Sequence, residues 1–295
     1  MGKQNKNLVL ENVFSTKNLF FAYEKVREKN YIAMRNTNLE KFEKNISSEL
    51  SYLQKTILDN KYIPQTARGI KIPKKNTGKF RDISLMDFRD RIVQRTLANS
   101  LASIYEGIFL DCSYAYRPRK SVKMALTEVN KLIKNGYIYV LDADLKDFFS
   151  NLHHDILLNK LSEEIKDIRI LSLIKRYLQQ IEYKDNHFKI MEKGVKQGSI
   201  ISPILSNIYL HSFDKAMRSK NYKLIRYADD FIILTKTKEE LIKSYACAEI
   251  LLELLALEFN KDKTRVLNLS KGHQFKFLGE YFDKEGILRK PDILF

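Results

Sequence analysis

Cysteine is scarce in this chain. Two occur among 295 residues, Cys112 and Cys247, far apart and without a histidine near either at metal-ligand spacing. A zinc site and a disulfide framework are therefore not expected, and a reducing cytoplasm is the expected setting. Long apolar runs are also missing. No stretch approaches the roughly 20 apolar residues of a membrane span, so no membrane partner is expected. The first ten residues are polar and basic, without the apolar stretch of a secretion signal. No segment repeats at a fixed period. Negative charge is in short supply, with 36 Asp and Glu against 52 Lys and Arg and a formal charge of +16. That balance favours a polyanionic partner, most simply nucleic acid. Hydrophobic residues make up 44%, which at this length allows a sizeable core in one large or two modest domains.

Against that background two acidic segments stand out. Tyr227-Ala228-Asp229-Asp230 sits between the apolar runs Leu224-Ile225 and Phe231-Ile232-Ile233-Leu234, a pattern that predicts strand, tight turn, strand. Adjacent carboxylates repel, and a divalent metal removes the repulsion. The bland reading is a solvated Asp-Asp turn. Upstream, residues 137–145 predict a buried strand whose alternation puts Val140, Asp142 and Asp144 on one face. Asp142 and Asp144 are both candidates for the same site. With this strand beside the 224–234 hairpin, three carboxylates converge. Such a cluster holds two Mg2+ ions about 3.5–4 Å apart, the arrangement of nucleotidyl transfer.

The remaining segments frame these two. Residues 14–60 carry helical spacing in Leu19, Phe20, Ala22, Tyr23 and Val26 and in Leu50, Leu53 and Ile57. Residues 61–84 predict two extended strands joined by a turn. Arg68, Lys71, Lys74, Lys75, Lys79 and Arg81 make that hairpin basic and point to phosphate binding. Helices are predicted over 86–107, 121–134 with Ser121 as its cap, most of 153–180, and 238–259. Hairpins are predicted at 181–190, turning at Asp185-Asn186, and at 275–282, interrupted at Gly279. His153 and His154 suit a local hydrogen bond better than a metal. Gly198 allows a backbone to approach a ligand closely. Ser202 and Pro203 read as the cap and first residue of a helix that buries Ile204, Leu205, Ile208 and Tyr209. The order predicts an α+β fold with a central antiparallel sheet covered by helices.

Taken together these segments resemble a reverse transcriptase of the bacterial group II intron-like lineage, from about residue 18 to 282. Tyr62-Ile63-Pro64, Ile72-Pro73-Lys74 and Gly78-Lys79-Phe80-Arg81, running into Asp90-Arg91-Ile92-Val93-Gln94, are similar to its first block. Ser113 to Ser121 is similar to its second. Asp144 to Phe149, Gln197-Gly198-Ser199 with Ser202-Pro203, and Tyr227-Ala228-Asp229-Asp230 resemble polymerase motifs A, B and C. Asp262-Lys263-Thr264 and Phe277-Leu278-Gly279 resemble the two blocks that follow. The resemblance implies a right-hand polymerase fold with fingers and palm: an N-terminal helical extension over 1–60, fingers over 61–136, palm over 137–282 with fingers-associated helices in 153–190, and a thumb stub or tail over 283–295.

It also implies roles. An aromatic gate against a ribose 2′-hydroxyl follows the metal-binding Asp by five positions, which selects Asp144 over Asp142 and makes Phe149 the gate. Asp144, Asp229 and Asp230 then hold two Mg2+ ions, for which Mn2+ can substitute. Lys79 and Arg81 reach the triphosphate, and Arg117 the nucleotide or template. Gln197 and Gly198 form the floor under the base, and Lys263 protonates the leaving pyrophosphate. The implied partners are an RNA template, a DNA or RNA primer and dNTPs. Almost nothing follows the Phe277-Leu278-Gly279 block, so either the chain is a truncated piece of a longer protein or a structured RNA, a partner protein or self-association supplies the duplex clamp; a role tied to phage defence or to CRISPR loci is the expectation for a stand-alone chain. Two rivals stay open: a template-independent or protein-primed DNA polymerase of antiviral defence, and a maturase-like RNA-binding protein with a vestigial site.

Overall fold

The structure is a computed structural model and describes residues 8–30, 37–73, 78 and 80–288. Lys74, Lys75 and Lys79 of the expected basic hairpin, and residues 289–295 of the expected tail, lie outside the described residues. The chain opens with α1 (Leu10–Val13), α2 (Thr16–Asn30), α3 (Thr37–Lys44) and α4 (Ile46–Leu58). Leu19, Tyr23 and Val26 of α2 and Leu50, Leu53 and Ile57 of α4 are buried, as their spacing predicts, whereas Phe20 is 49% exposed. Strands β1 (Ala67–Pro73) and β2 (Phe80–Leu85) follow, then α5 (Phe88–Tyr105) and α6 (Val122–Lys134). The Ser121 hydroxyl caps α6 by accepting the Met124 N–H at 3.2 Å.

Next come β3 (Tyr139–Asp144), the single turn α7 (Phe148–Asn151), α8 (His154–Glu164), α9 (Ile168–Leu178), β4 (Glu182–Lys184) and β5 (His187–Lys189). Asp185 and Asn186 join β4 to β5 with positive φ at both positions, the pattern of a type I′ turn. The chain continues through α10 (Ser202–Ser219), β6 (Lys223–Tyr227), β7 (Asp230–Thr235), α11 (Lys238–Glu253), β8 (Arg265–Asn268), β9 (Phe275–Phe277), β10 (Glu280–Asp283) and β11 (Gly286–Ile287). A reciprocal capping box between Thr237 and Glu240 starts α11. This helix ends before the expected residue 259, and the chain then takes a positive φ at Ala256. Among the described residues no helix is long and apolar enough to cross a membrane.

The chain divides into two compact units. One comprises Met1–Gly107 and Phe149–Leu205, the other Ile108–Phe148 and Ser206–Phe295.

In the first unit the sheet order is β2-β1-β4-β5. Register decides which side chains share a face. Arg68 stands beside Leu85 and Tyr183, Ile70 beside Ile83, Ile72 beside Arg81, and Tyr183 beside Phe188. This face carries arginine, aliphatic and aromatic groups and no carboxylate from the strands. The Tyr183 and Phe188 rings lie 4.9 Å apart, and Phe188 is 73% exposed. The opposite face is ion-paired. The Lys184 chain crosses Gly69 to meet Asp82 at 2.6 Å, and the Ser84 hydroxyl donates to Glu182. A Cβ at Gly69 would lie 2.7 Å from the Cβ of Lys184, so the crossing requires glycine.

In the second unit the sheet order is β6-β7-β3-β8, antiparallel throughout. Val140, Ile225, Ile232 and Leu234 bury one face against Val129 and Ile133 of α6 and Phe275, Phe277 and Phe282 of the small β11-β10-β9 sheet. Phe231 on the other face packs its ring 5.3 Å from Phe213 of α10, and α11 lies against β3 and β7. The central antiparallel sheet under helices is thus present. Strand β8 at its edge had no counterpart in the sequence prediction.

Candidate active site

The acidic residues meet in the second unit. β3 and β7 pair so that Asp144 stands directly opposite Asp230, and Asp142 opposite Ile232 on the same face. Residues so opposed have Cβ atoms about 4.5–5.5 Å apart. Tyr227 pairs with Asp230, which leaves Ala228 and Asp229 as a two-residue turn joining β6 to β7. Ala228 has φ +61°, and it alone of the two central residues has positive φ, the pattern of a type II′ turn.

Burial and the surrounding carboxylates set the electrostatics. Burial pushes Asp230 up to about 7, and Asp142, Asp144 and Asp229 add to the shift against Lys263. Burial pushes Asp142 up to about 6, opposed by Arg265, its partner on β8, and reinforced by Asp144. Asp144 Oδ2 accepts the Lys263 ammonium at 2.8 Å and the Asn260 amide at 3.2 Å. The main chain fixes the asparagine too, because the Asn260 N–H donates to the Asp144 carbonyl at 2.8 Å.

Among the described residues, no group of three or more His, Cys, Asp or Glu is arranged to hold a metal ion. Asp144 and Asp230 are neighbours on paired strands, and an ammonium rests on Asp144. Donor chemistry nevertheless fits a hard divalent cation. Every candidate ligand is oxygen, and the carboxylates outnumber the cations Lys263 and Arg265 that act on Asp230 and Asp142.

Beneath the turn lies a group that sequence reading missed. The guanidinium of Arg226 is fully buried and paired to Asp214 of α10, also fully buried, with Nε to Oδ1 at 2.8 Å and Nη2 to Oδ2 at 2.6 Å. Its Nη2 also donates to Ser113 Oγ at 2.9 Å, and its Nη1 to Asn207 Oδ1 at 3.1 Å and to the Ala228 carbonyl at 3.0 Å. All five N–H groups are thus used. A left-handed non-glycine residue costs about 1–2 kcal/mol, and a hydrogen bond to a charged group contributes about 1.5–3 kcal/mol, so the bond from Arg226 offsets the strain at Ala228.

Arg117 is turned inward. Its Nη1 donates to the carbonyls of Leu110 at 2.6 Å and Ser113 at 2.9 Å, and its guanidinium lies 5.5 Å from the Phe109 ring centroid. A nucleotide contact from Arg117 would have to compete with these bonds.

The other sequence candidates lie in the first unit. Arg81 is exposed on β2, and Lys79 lies outside the described residues. The Gln197 carbonyl accepts the Ser84 N–H at 2.7 Å. Gly198 has φ +100°, and a Cβ there would lie 2.7 Å from the Ser84 carbonyl oxygen. Its glycine allows a close approach to β2. The loop is held from the other side by Gln94, whose Oε1 accepts from Ser199 Oγ at 2.8 Å and from the Ile200 N–H at 2.9 Å. Ser202 donates its hydroxyl to the Lys196 carbonyl at 2.9 Å. Phe149, in α7, is half-buried, and its carbonyl accepts the Val195 N–H at 2.7 Å. His154 Nε2 donates to the Gly194 carbonyl at 2.8 Å, the local bond expected for it.

A profile of the family described as "Reverse transcriptase (RNA-dependent DNA polymerase)" matches residues 72–282. Protein YkfC of Escherichia coli K12 is 32% identical over 274 residues, covering 79% of this chain and 71% of that protein. The group II intron-encoded protein LtrA of Lactococcus lactis subsp. cremoris is 32% identical over 177 residues, covering 60% of this chain but only 29% of LtrA. Among solved structures, apo telomerase from Candida tropicalis, truncated from its C-terminal domain, superposes with a TM-score of 0.61 at 15% identity, covering 77% of this chain and 55% of that one. A Cas6-RT-Cas1–Cas2 complex chain gives 0.51 at 21%, covering 84% of this chain and 43% of that one. These two likenesses speak for the fold alone, the right-hand polymerase architecture. Family match, order of motifs and fold agree: the chain belongs to the reverse transcriptases, RNA-directed DNA polymerases of the nucleotidyltransferase class.

Proposed function

We propose that this chain copies an RNA template into DNA by adding dNTPs to a primer 3′-hydroxyl at the acidic site of its second unit. The carrying observation is the opposition of Asp144 and Asp230 beside the turn that bears Asp229. These three carboxylates would hold two Mg2+ ions, or Mn2+ in their place, which when bound supply Lewis-acid activation of the hydroxyl and neutralise the leaving pyrophosphate. Asp142, facing Arg265, stays out of the ligand set. Lys263, released from Asp144, holds a proton at Nζ for a pyrophosphate oxygen. The Phe149 ring excludes a ribose 2′-hydroxyl. Lys79 and Arg81 bind triphosphate oxygens, and Gln197 and Gly198 form the floor under the base. These roles rest on the motif matches.

The carboxylate-free face of the β2-β1-β4-β5 sheet suits a single-stranded template, because exposed rings stack on bases while arginines meet phosphates. A structured RNA or a partner protein reinforces the grip on the duplex, and the cytoplasm is the proposed compartment. The test is extension of a DNA primer on an RNA template with Mg2+. Product should require the template and vanish in Asp229→Ala and Asp144→Ala, both of which should fold and melt at or above the wild-type temperature. Template-independent product, or an active Asp229→Ala, would overturn the reading.

A further inference from the structure

The turn that carries Asp229 is a two-residue connection with a left-handed alanine, so its shape is not the default for its sequence. One side-chain donor is recorded at the Ala228 carbonyl, the buried Arg226. That guanidinium cannot drift. Asp214 of α10 takes two of its N–H groups, Ser113 and Asn207 take one each, and the Asn207 amide is itself anchored to the Ala115 carbonyl at 2.8 Å. The main chain clamps the same residue, with the Arg226 N–H on the Cys112 carbonyl at 2.8 Å and the Arg226 carbonyl accepting the Tyr114 N–H at 2.9 Å. Asp229 is also among the charges that the guanidinium feels.

We propose that Arg226, braced by Asp214, is a positioning residue that holds the Ala228-Asp229 turn in the shape that aims Asp229, so that divalent-metal affinity at the acidic site depends on a group that never touches metal or substrate. The proposal rests on the metal-binding reading of Asp229. The fork geometry is essential, because lysine carries the charge but cannot reach five acceptors in one plane.

Two variants test it. Arg226→Lys keeps a cation beside Asp214 and removes the fork. The double variant Arg226→Met/Asp214→Leu removes both charges at similar volume, a replacement that buried pairs often tolerate without loss of stability. Mn2+ binding is measured directly by electron paramagnetic resonance on each purified chain, and primer extension is measured beside it. Expected are a tenfold or greater loss of Mn2+ affinity in whichever variants fold, and a fall in kcat with KM for primer-template within twofold of wild type. A folded variant that binds Mn2+ as wild type does would overturn the positioning role. Absence of a Mn2+ site in the wild-type chain would overturn the metal reading and the proposal with it, an outcome distinct from the first.

Discussion

The ammonium of Lys263 rests 2.8 Å from Oδ2 of Asp144. The pair occupies the carboxylate that the motif match selects as a metal ligand, so a divalent cation arriving there competes with the lysine. Exposed pairs of this kind contribute about 0.2–1 kcal/mol, and the Lys263 side chain is 63% exposed. Lys263→Gln should therefore lower the Mg2+ concentration for half-maximal activity by roughly two- to fivefold. Its kcat separates the two roles of the lysine. Loss of a general acid costs about 10²–10⁴-fold, whereas loss of a counter-ion alone leaves kcat near wild type. A Mg2+ titration of the variant reads both.

Asp90 predicts a pH dependence of stability in the first unit. It is fully buried, and its oxygens accept from Tyr62 at 2.7 Å, Tyr177 at 3.1 Å and the Gln65 N–H at 2.9 Å, with Gln180 at 3.5 Å. Burial pushes it up to about 6 despite those donors, with Asp87 adding to the rise. The folded state thus holds the proton more tightly than the unfolded chain. The resulting stabilisation is complete below about pH 4 and is lost as pH rises through about 6, to the extent of about 3 kcal/mol. Thermal melts of Asp90→Asn and wild type from pH 4 to 7 should converge toward high pH in slope, with the variant flatter between 4 and 6. Parallel curves would show that Asp90 is ionised throughout.

Gly198→Ala should cost about 2–4 kcal/mol, since it adds left-handed strain and a close backbone contact together. Its Cβ would lie 2.7 Å from the Ser84 oxygen and 2.9 Å from Cγ2 of Ile83. Urea unfolding should show a lower midpoint at unchanged slope. A midpoint equal to that of wild type would mean that the loop and β2 separate freely.

Phe149→Val and Phe149→Ala should admit ribonucleotides. The expected change is at least tenfold in the ratio of kcat/KM for a dNTP to that for the matching NTP, in a variant that melts normally. Because the Phe149 carbonyl is bonded to Val195, the main chain should hold while the ring is cut back. An unchanged ratio would assign the ring to packing.

What was legible in the sequence was what repeats locally. Alternation in 137–145 put Asp142 and Asp144 on one face, and strand β3 keeps them there opposite Asp230 and Ile232. Caps at Ser121 and turns at Asp185-Asn186 and Gly279 depend on neighbours a few residues away. Contacts over long separations left no such trace. Arg226 finds Ser113 across 113 positions, and Gln94 finds Ser199 across 105. Nothing in Leu224 to Tyr227 marks an arginine that is wholly buried, because its compensation comes from α10. Gly198 shows its freedom of backbone in the sequence, but its close neighbour on β2, more than a hundred positions away, left no trace there. Strand β8 is too short to alternate visibly; its pairing with β3 is what makes it a strand.

The two faces of the β2-β1-β4-β5 sheet differ in how far their fields reach. Lys184 and Asp82 are 2.6 Å apart and present a dipole, whose potential falls as the inverse square of distance. Arg68 and Arg81 share the other face without a strand carboxylate and act as monopoles, falling only as the inverse of distance until screening cuts in at about 8 Å in physiological salt. A phosphate chain several ångströms away therefore feels one side of the sheet and scarcely the other. The strand pairing of one short hairpin thereby gives the surface a direction of approach that operates before any ring or base is in contact.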